Sequence, residues 1–253
     1  MTETPPQKRP KHPAVLVLGA RSDIARALAH AYAADGYPLM LAARDPDALA
    51  PDCADLALRH GIEATAHGYD ALDLDGIGAF FDQLPATPGI VIQAVGLLGD
   101  QAEAEADPRM AARIVATNLT GPAAALEEAA RRMAAAGGGT VIGISSVAGE
   151  RGRAKNHWYG AAKAGLTAIL SGMRQKWWRQ GVHVLTVKPG FVATRMTEGM
   201  DLPKPLTDTP DNLAKAVKRA AERKRATYMP FKWRLVMAVI CALPEPIFKR
   251  LRF

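Results

Sequence analysis

Residues 14–25 read AVLVLGARSDIA: a short apolar run, a glycine, then polar residues that open a helix-periodic stretch. An apolar run without polar alternation is the pattern of a strand buried on both faces. The spacing from about Ile24 to Ala34 predicts an amphipathic helix. Between them, Gly19-Ala20-Arg21-Ser22-Asp23-Ile24-Ala25 forms a tight turn into the helix N-terminus. Free N–H groups and the positive dipole end there suit a diphosphate. Because the turn holds a single glycine, an ordinary strand-to-helix turn capped by Ser22 or Asp23 is the alternative.

The same alternation recurs along the chain. Leu39–Ala43, Ile90–Val95, Thr140–Ile144 and His183–Val187 are further short apolar runs. Helices are expected from near Pro46, over Arg109–Ala135 up to the stop Gly137-Gly138-Gly139, and over His157–Trp178. Strands that alternate with helices imply βαβ units, so the expected fold class is α/β: one doubly wound domain around a parallel sheet. In such sheets ligands bind beyond the carboxyl ends of the strands. The expected organisation is a loose tail over 1–12, a catalytic domain over 13–230, and a short, helical, basic and amphipathic segment over 231–253.

Composition narrows the function classes. Of the 253 residues, 49% are hydrophobic and 23% charged, which excludes a disordered or fibrous chain. Two cysteines, Cys53 and Cys241, are too few for a disulfide scaffold or a zinc site, and no metal is expected. Unpaired in the sequence, they fit a reducing cytoplasm. The net charge of +7 is uneven: residues 204–253 hold twelve Lys and Arg against four Asp and Glu. Without interleaved aromatics or a binding module, that excess does not indicate nucleic acid. The opening MTETPPQKRPKHP lacks an apolar signal core, and Leu235–Leu243 falls far short of the ~20 residues that span a bilayer.

The most specific constellation lies downstream. Tyr159 and Lys163 stand four apart on an expected helix, so both project from one face. Ser146 precedes Tyr159 by thirteen residues, just past the strand Thr140–Ile144, where it can reach the same cleft. A phenol ordinarily ionises near pH 10. A neighbouring ammonium is expected to draw that value toward working pH, where proton transfer is most effective.

Over roughly residues 14–200 the chain resembles the short-chain dehydrogenase/reductases, whose fold is a Rossmann-type domain. Ser146, Tyr159 and Lys163 fall on the family's Ser and Tyr-x-x-x-Lys, and Asn118 on its helix asparagine. The glycine turn corresponds to Gly19–Ala25, so Gly19, Arg21, Ser22, Asp23 and Ile24 are expected at the cofactor diphosphate. Asp23 and Ala25 stand where second and third glycines are usual, and Asp23 would need to cap the helix or pair with a cation such as Arg21. Ala94 and Gly96 lie in the stretch after the fourth strand, and Asp70, before Ala71, at the adenine position. Pro189, Gly190, Val192 and Thr194 match the loop that holds the nicotinamide carboxamide. Family members commonly pair through the helices corresponding to Arg109–Ala135 and His157–Trp178, which implies a homo-oligomer.

Cofactor choice turns on the end of the second strand, Leu41-Ala42-Ala43-Arg44. NAD-preferring proteins place an acid there; Arg44 instead suits a 2′-phosphate, with Arg21 beside it, so NADP(H) is expected. A solvated loop arginine is the alternative. The resemblance implies ketone reduction: Tyr159 gives the proton, Ser146 bonds the carbonyl oxygen, Lys163 bonds the nicotinamide ribose, and Asn118 holds a water. Gly96–Asp100, Ser145–Asn156, Tyr159–Leu166 and Pro246–Leu251 further resemble the branch that reduces the 2-keto group of a polyprenyl-phosphate-linked pentose. Arg151, Arg153 and Lys155 border the expected cleft and would suit a phosphodiester, or are solvated loop charges. The segment 231–253 mixes Trp233 and Phe248 with Lys232, Arg234, Lys249 and Arg250. It would lie on a membrane surface at the inner face or cover a lipid tail, or else pack as a core or dimer end. An ordinary small or acyl-chain ketone is the alternative substrate, and a catalytically idle NAD(P)-binding protein the alternative function.

Overall fold

The computed structural model describes residues 12–251, so the expected loose tail at 1–12 lies outside the described residues except for His12. The first half runs β1 (Val15–Leu18), α1 (Asp23–Ala33), β2 (Leu39–Ala43), α2 (Ala50–His60), β3 (Ala64–Gly68), α3 (Ile77–Asp82) and β4 (Ile90–Gln93). Next come α4 (Gln101–Ala106), α5 (Pro108–Val115), α6 (Gly121–Ala135), β5 (Gly139–Ile144), α7 (His157–Trp177) and β6 (Val182–Val187). The chain closes with β7 (Phe191–Val192), β8 (Thr207–Asp208), α8 (Pro210–Glu222), β9 (Thr227–Tyr228), α9 (Phe231–Ala242) and α10 (Glu245–Phe248).

One sheet of seven strands runs in the order β3-β2-β1-β4-β5-β6-β9, every pair parallel. Alternate side chains of β1 serve opposite faces. Val15 and Val17 join a core with Leu28 of α1 and Leu213 and Val217 of α8. Leu16 and Leu18 join another with Phe80 and Phe81 of α3, Leu126 of α6 and Leu166 of α7. The doubly wound parallel fold is as expected. Strand order reverses between β1 and β4, and the crevice beyond their carboxyl ends is where such a sheet accepts a ligand.

The structure departs from the sequence reading in three places. The helix expected from Pro46 starts at Ala50, after a 3-10 turn at Asp47–Leu49; Pro51, which lacks an N–H, takes the first-turn place. The single helix expected over Arg109–Ala135 is α5 and α6, joined by a π turn at Ala116–Thr120. Pro122 lacks the N–H that would bond the carbonyl of Asn118, and the ladder widens there. The edge strands β3 and β9 carry no apolar run, and their neighbours in the sheet decide them.

The C-terminal segment is helical, as expected. Trp233 and Met237 of α9 pack inward with Val147, Phe191, Leu206 and Met229. Phe231, Leu235 and Val239 form an exposed apolar stripe on the same helix. Among the described residues no helix is long and apolar enough to cross a membrane.

Candidate active site

Two adjoining cavities occupy the crevice. The larger, about 760 Å³, is lined by Gly19, Arg21, Arg44, Asp70 and Ala71. The smaller, about 290 Å³, is lined by Asp23, Ile24, Ser146, Tyr159, Lys163, Pro189, Gly190, Val192 and Thr194. Ser22, Ala94, Val95, Gly96 and Arg195 border both, forming the neck between them. Of the residues expected to act on substrate or cofactor, Asn118 alone borders neither cavity, and Arg151, Arg153 and Lys155, expected beside the cleft, border neither as well.

The turn after β1 is shaped by one glycine. Gly19 has φ of +79°, and a Cβ there would stand 2.7 Å from the Val95 nitrogen. Ser22 caps α1, its hydroxyl accepting from the Ala25 N–H at 3.1 Å. The N–H groups of Asp23 and Ile24 meet no protein acceptor among the described residues, leaving two donors at a helix N-terminus. Asp23 pairs with a cation, though not with Arg21. Its Oδ2 accepts the Arg195 N–H at 2.7 Å and its Oδ1 the Arg195 Nε–H at 3.0 Å. Arg195 lies far along the chain, so only the fold brings this pair together.

Ser146 leaves β5 in extended backbone, and its hydroxyl accepts from the Ala148 N–H at 3.1 Å. One turn apart on α7, Tyr159 and Lys163 face the same small cavity. Ser145 fastens α7 to the strand end: its hydroxyl donates to the Lys163 carbonyl at 2.8 Å and meets that of Thr167 at 2.7 Å. Lys163 is buried, donates to the Ile144 carbonyl at 3.0 Å, and holds its Nζ 5.7 Å from the Tyr159 ring centre.

Desolvation dominates the titration of both groups. Burial pushes the Tyr159 phenol up to about 12, against the opposing pull of a hydrogen bond with Ser146. Burial brings the Lys163 ammonium down to about 8. The phenol is thus not lowered as expected: burial is the largest cause at both groups, and it raises the phenol and lowers the ammonium.

Asn118 is fully buried in the π turn, and its amide is committed. Its Oδ1 accepts the Leu97 N–H at 3.2 Å, while Nδ2 donates to the carbonyls of Leu97 at 2.6 Å and Ile114 at 2.8 Å. Gly96 keeps the adjacent space open: a Cβ there would lie 3.3 Å from Asn118 Oδ1 and 3.8 Å from Lys163 Nζ.

Arg44 is exposed at the end of β2 and has no carboxylate partner among the described ion pairs. Asp70 Oδ1 accepts the Leu72 N–H at 3.0 Å. On the opposite side, the loop cations are not equivalent. Arg151 donates to the carbonyls of Ile240 and Leu243, both at 2.6 Å, bonds Glu245 at 2.8 Å and stacks on Phe248. It caps the end of α9, so the expectation that it faces the cleft as a free cation is corrected. Arg153 is half-buried with its Nε in no hydrogen bond, and Lys155 is exposed. The residues sequence reasoning missed are Arg195, Ser145 and the neck residue Val95; an arginine directly after Thr194 was the available signal.

The short chain dehydrogenase family matches residues 13–204. An uncharacterized oxidoreductase of Mycobacterium tuberculosis is 39% identical over 241 residues, covering 94% of this chain and 96% of the relative. Another from Streptomyces coelicolor is 36% identical over 241 residues, covering 94% and 95%. Among solved structures, a short-chain dehydrogenase from Sphingobium yanoikuyae in complex with NADPH superposes with a TM-score of 0.79 at 23% identity, covering 95% of this chain and 97% of that one. The chain thus belongs to the short chain dehydrogenase family of oxidoreductases.

Proposed function

We propose that the chain is an NADPH-dependent reductase of a ketone, the 2-keto group of a polyprenyl-phosphate-linked pentose, with Tyr159 as the general acid. One observation carries the reading: Ser146, Tyr159 and Lys163 share the wall of a small cavity that opens, through a common neck, onto a larger one bearing Arg21 and Arg44. That shape fits a dinucleotide. The free N–H groups of Asp23 and Ile24 would hold its diphosphate and Arg44 with Arg21 its 2′-phosphate. Asp70 and Ala71 would border the adenine. Pro189, Gly190, Val192 and Thr194, beside Ala94 and Gly96, would hold the nicotinamide. The NADPH in the Sphingobium yanoikuyae protein supports the same choice.

When bound, the nicotinamide supplies the hydride. Ser146 bonds and orients the carbonyl oxygen within reach of the phenol. Tyr159, held protonated by burial, donates its proton to that oxygen. Lys163, with its pKa brought down to about 8, can return a proton near neutral pH. Asn118 acts by position, holding Leu97 beside the open space near Lys163 where a water would fit.

The lipid-linked substrate rests on the resemblance of Gly96–Asp100, Ser145–Asn156, Tyr159–Leu166 and Pro246–Leu251 to decaprenylphosphoryl-2-keto-ribose reductase. The exposed stripe Phe231, Leu235 and Val239 supports it, since the same helix packs Trp233 in one cluster with Val147, the residue after Ser146, and would meet an anionic membrane surface or the lipid tail. The engagement of Arg151 removes one cation from the phosphodiester argument and favours, as second reading, an ordinary small or acyl-chain ketone. Pairing of copies through α5, α6 and α7 is part of the proposal, with Trp158 of α7 partly exposed. The test is NADPH oxidation with a polyprenyl-phosphoryl 2-keto-pentose, beside NADH and a Tyr159→Phe control. Turnover with NADPH that vanishes in the control is expected. No turnover, with NADPH still bound, would refute the substrate; no binding of either nucleotide would refute the reductase.

A further inference from the structure

Arg195 occupies a place that neither the turn nor the catalytic residues explain. It borders both cavities at their neck, and a dinucleotide reaching from Arg44 to Tyr159 must pass it. Its backbone N–H and Nε–H engage the two carboxylate oxygens of Asp23 at 2.7 and 3.0 Å, and its Nη2 bonds the Arg21 carbonyl. Segment 193–200 is thereby fastened to the N-terminus of α1 across the crevice. The carboxylate of Asp23 belongs to the first turn of α1, whose Asp23 and Ile24 N–H groups have no protein acceptor among the described residues and favour an anion nearby. An acid at that point repels a diphosphate, yet here it is matched by a guanidinium whose planar fork suits either group.

We propose that Asp23 is a placeholder for the cofactor diphosphate, and that Arg195 exchanges this carboxylate for the diphosphate when the dinucleotide enters. The inference rests on the dinucleotide reading above and adds a residue that grips the neck, with an internal anion that competes for it. The competition assigns opposite signs to its two partners. Removing Arg195 removes a grip; removing the Asp23 charge frees that grip and relieves repulsion. A merely structural latch behaves differently, because breaking it from either side loosens the same segment.

The test is dinucleotide affinity of the full chain by titration calorimetry, with NADP+ and with adenosine 2′-monophosphate, which carries no part of the diphosphate. Arg195→Gln is expected to weaken NADP+ about tenfold, and Asp23→Asn to tighten it several-fold, in keeping with a charge-assisted hydrogen bond. Affinity for adenosine 2′-monophosphate is expected to stay constant in both. Hydrogen exchange over 193–200 without nucleotide is expected to rise in both variants, and NADP+ to restore protection in Asp23→Asn alone. Arg195→Lys and Asp23→Ser repeat the comparison should either variant fold poorly. Weaker NADP+ binding by Asp23→Asn, or unchanged binding by Arg195→Gln, would overturn the exchange while leaving the cofactor reading intact. Failure of the unaltered chain to bind either dinucleotide would overturn both.

Discussion

Lys163 is the place where burial and chemistry conflict most, and Lys163→Met measures that conflict. Its ammonium is buried and bonded only to the Ile144 carbonyl among the described residues, and its pKa falls from 10.5 to about 8. The native protein therefore holds this proton more weakly than the unfolded chain does. Between about pH 8 and 10.5 the unfolded state binds more protons, so the Lys163 contribution to stability rises with pH. Below that window both states are charged, and the native state bears the full cost of the buried charge. At 1.36 kcal/mol per pH unit the gap is worth about 3 kcal/mol. Methionine keeps the length of the side chain and removes the charge, but leaves the Ile144 carbonyl without its donor, a loss of about 1 kcal/mol. Lys163→Met is then expected to be more stable than the unaltered protein by roughly 2 kcal/mol at pH 7. That advantage should disappear by pH 10.5, and turnover should be lost throughout. Urea unfolding of both proteins at several pH values reads the difference. A stability difference independent of pH, or a variant less stable at pH 7, would show that Lys163 is solvated and refute the reasoning.

Further outcomes follow from other contacts. Gly19→Ala forces a side chain into positive φ and against Val95, so thermal unfolding should register a loss of about 2 kcal/mol or more, with weakened NADPH binding. Arg44→Ala should raise the KM for NADPH about tenfold or more and leave that for NADH nearly unchanged, measured by steady-state kinetics. Trp233→Ala removes a buried indole that stacks edge-on against Phe191 and donates to the Leu206 carbonyl at 2.9 Å, and should cost about 3–5 kcal/mol in urea unfolding. Arg151→Gln should free the end of α9, seen as faster proteolysis after residue 240, while the sheet core keeps its hydrogen-exchange protection.

The catalytic constellation could be read because it is local. Tyr159 and Lys163 are one helical turn apart, and Ser146 follows a strand whose apolar run announces itself. The strands β1, β2, β4, β5 and β6 were legible for the same reason: buried on both faces, they carry mostly apolar runs, unbroken in β1 and β2 and holding only Gln93, Thr140, His183 and Thr186 as polar members in the others. The edges were not. β3 reads ATAHG and β9 only two residues, and a neighbouring strand's hydrogen bonds, not their own side chains, decide that they are strands.

The amino-acid order alone determined the alternating elements, the glycine turn after β1, the Ser-Tyr-Lys constellation and the cation after β2, since each depends on residues near one another in the chain. Tertiary structure decided what depends on distant partners and on solvent. Arg195 reaches Asp23 only when the loop after β6 is folded over the turn after β1, and Arg151 is spent on α9 only when that helix docks against Val147 and Phe191. The phenol is held up at about 12 and the ammonium down at about 8 because folding removes the water that would have favoured both charges.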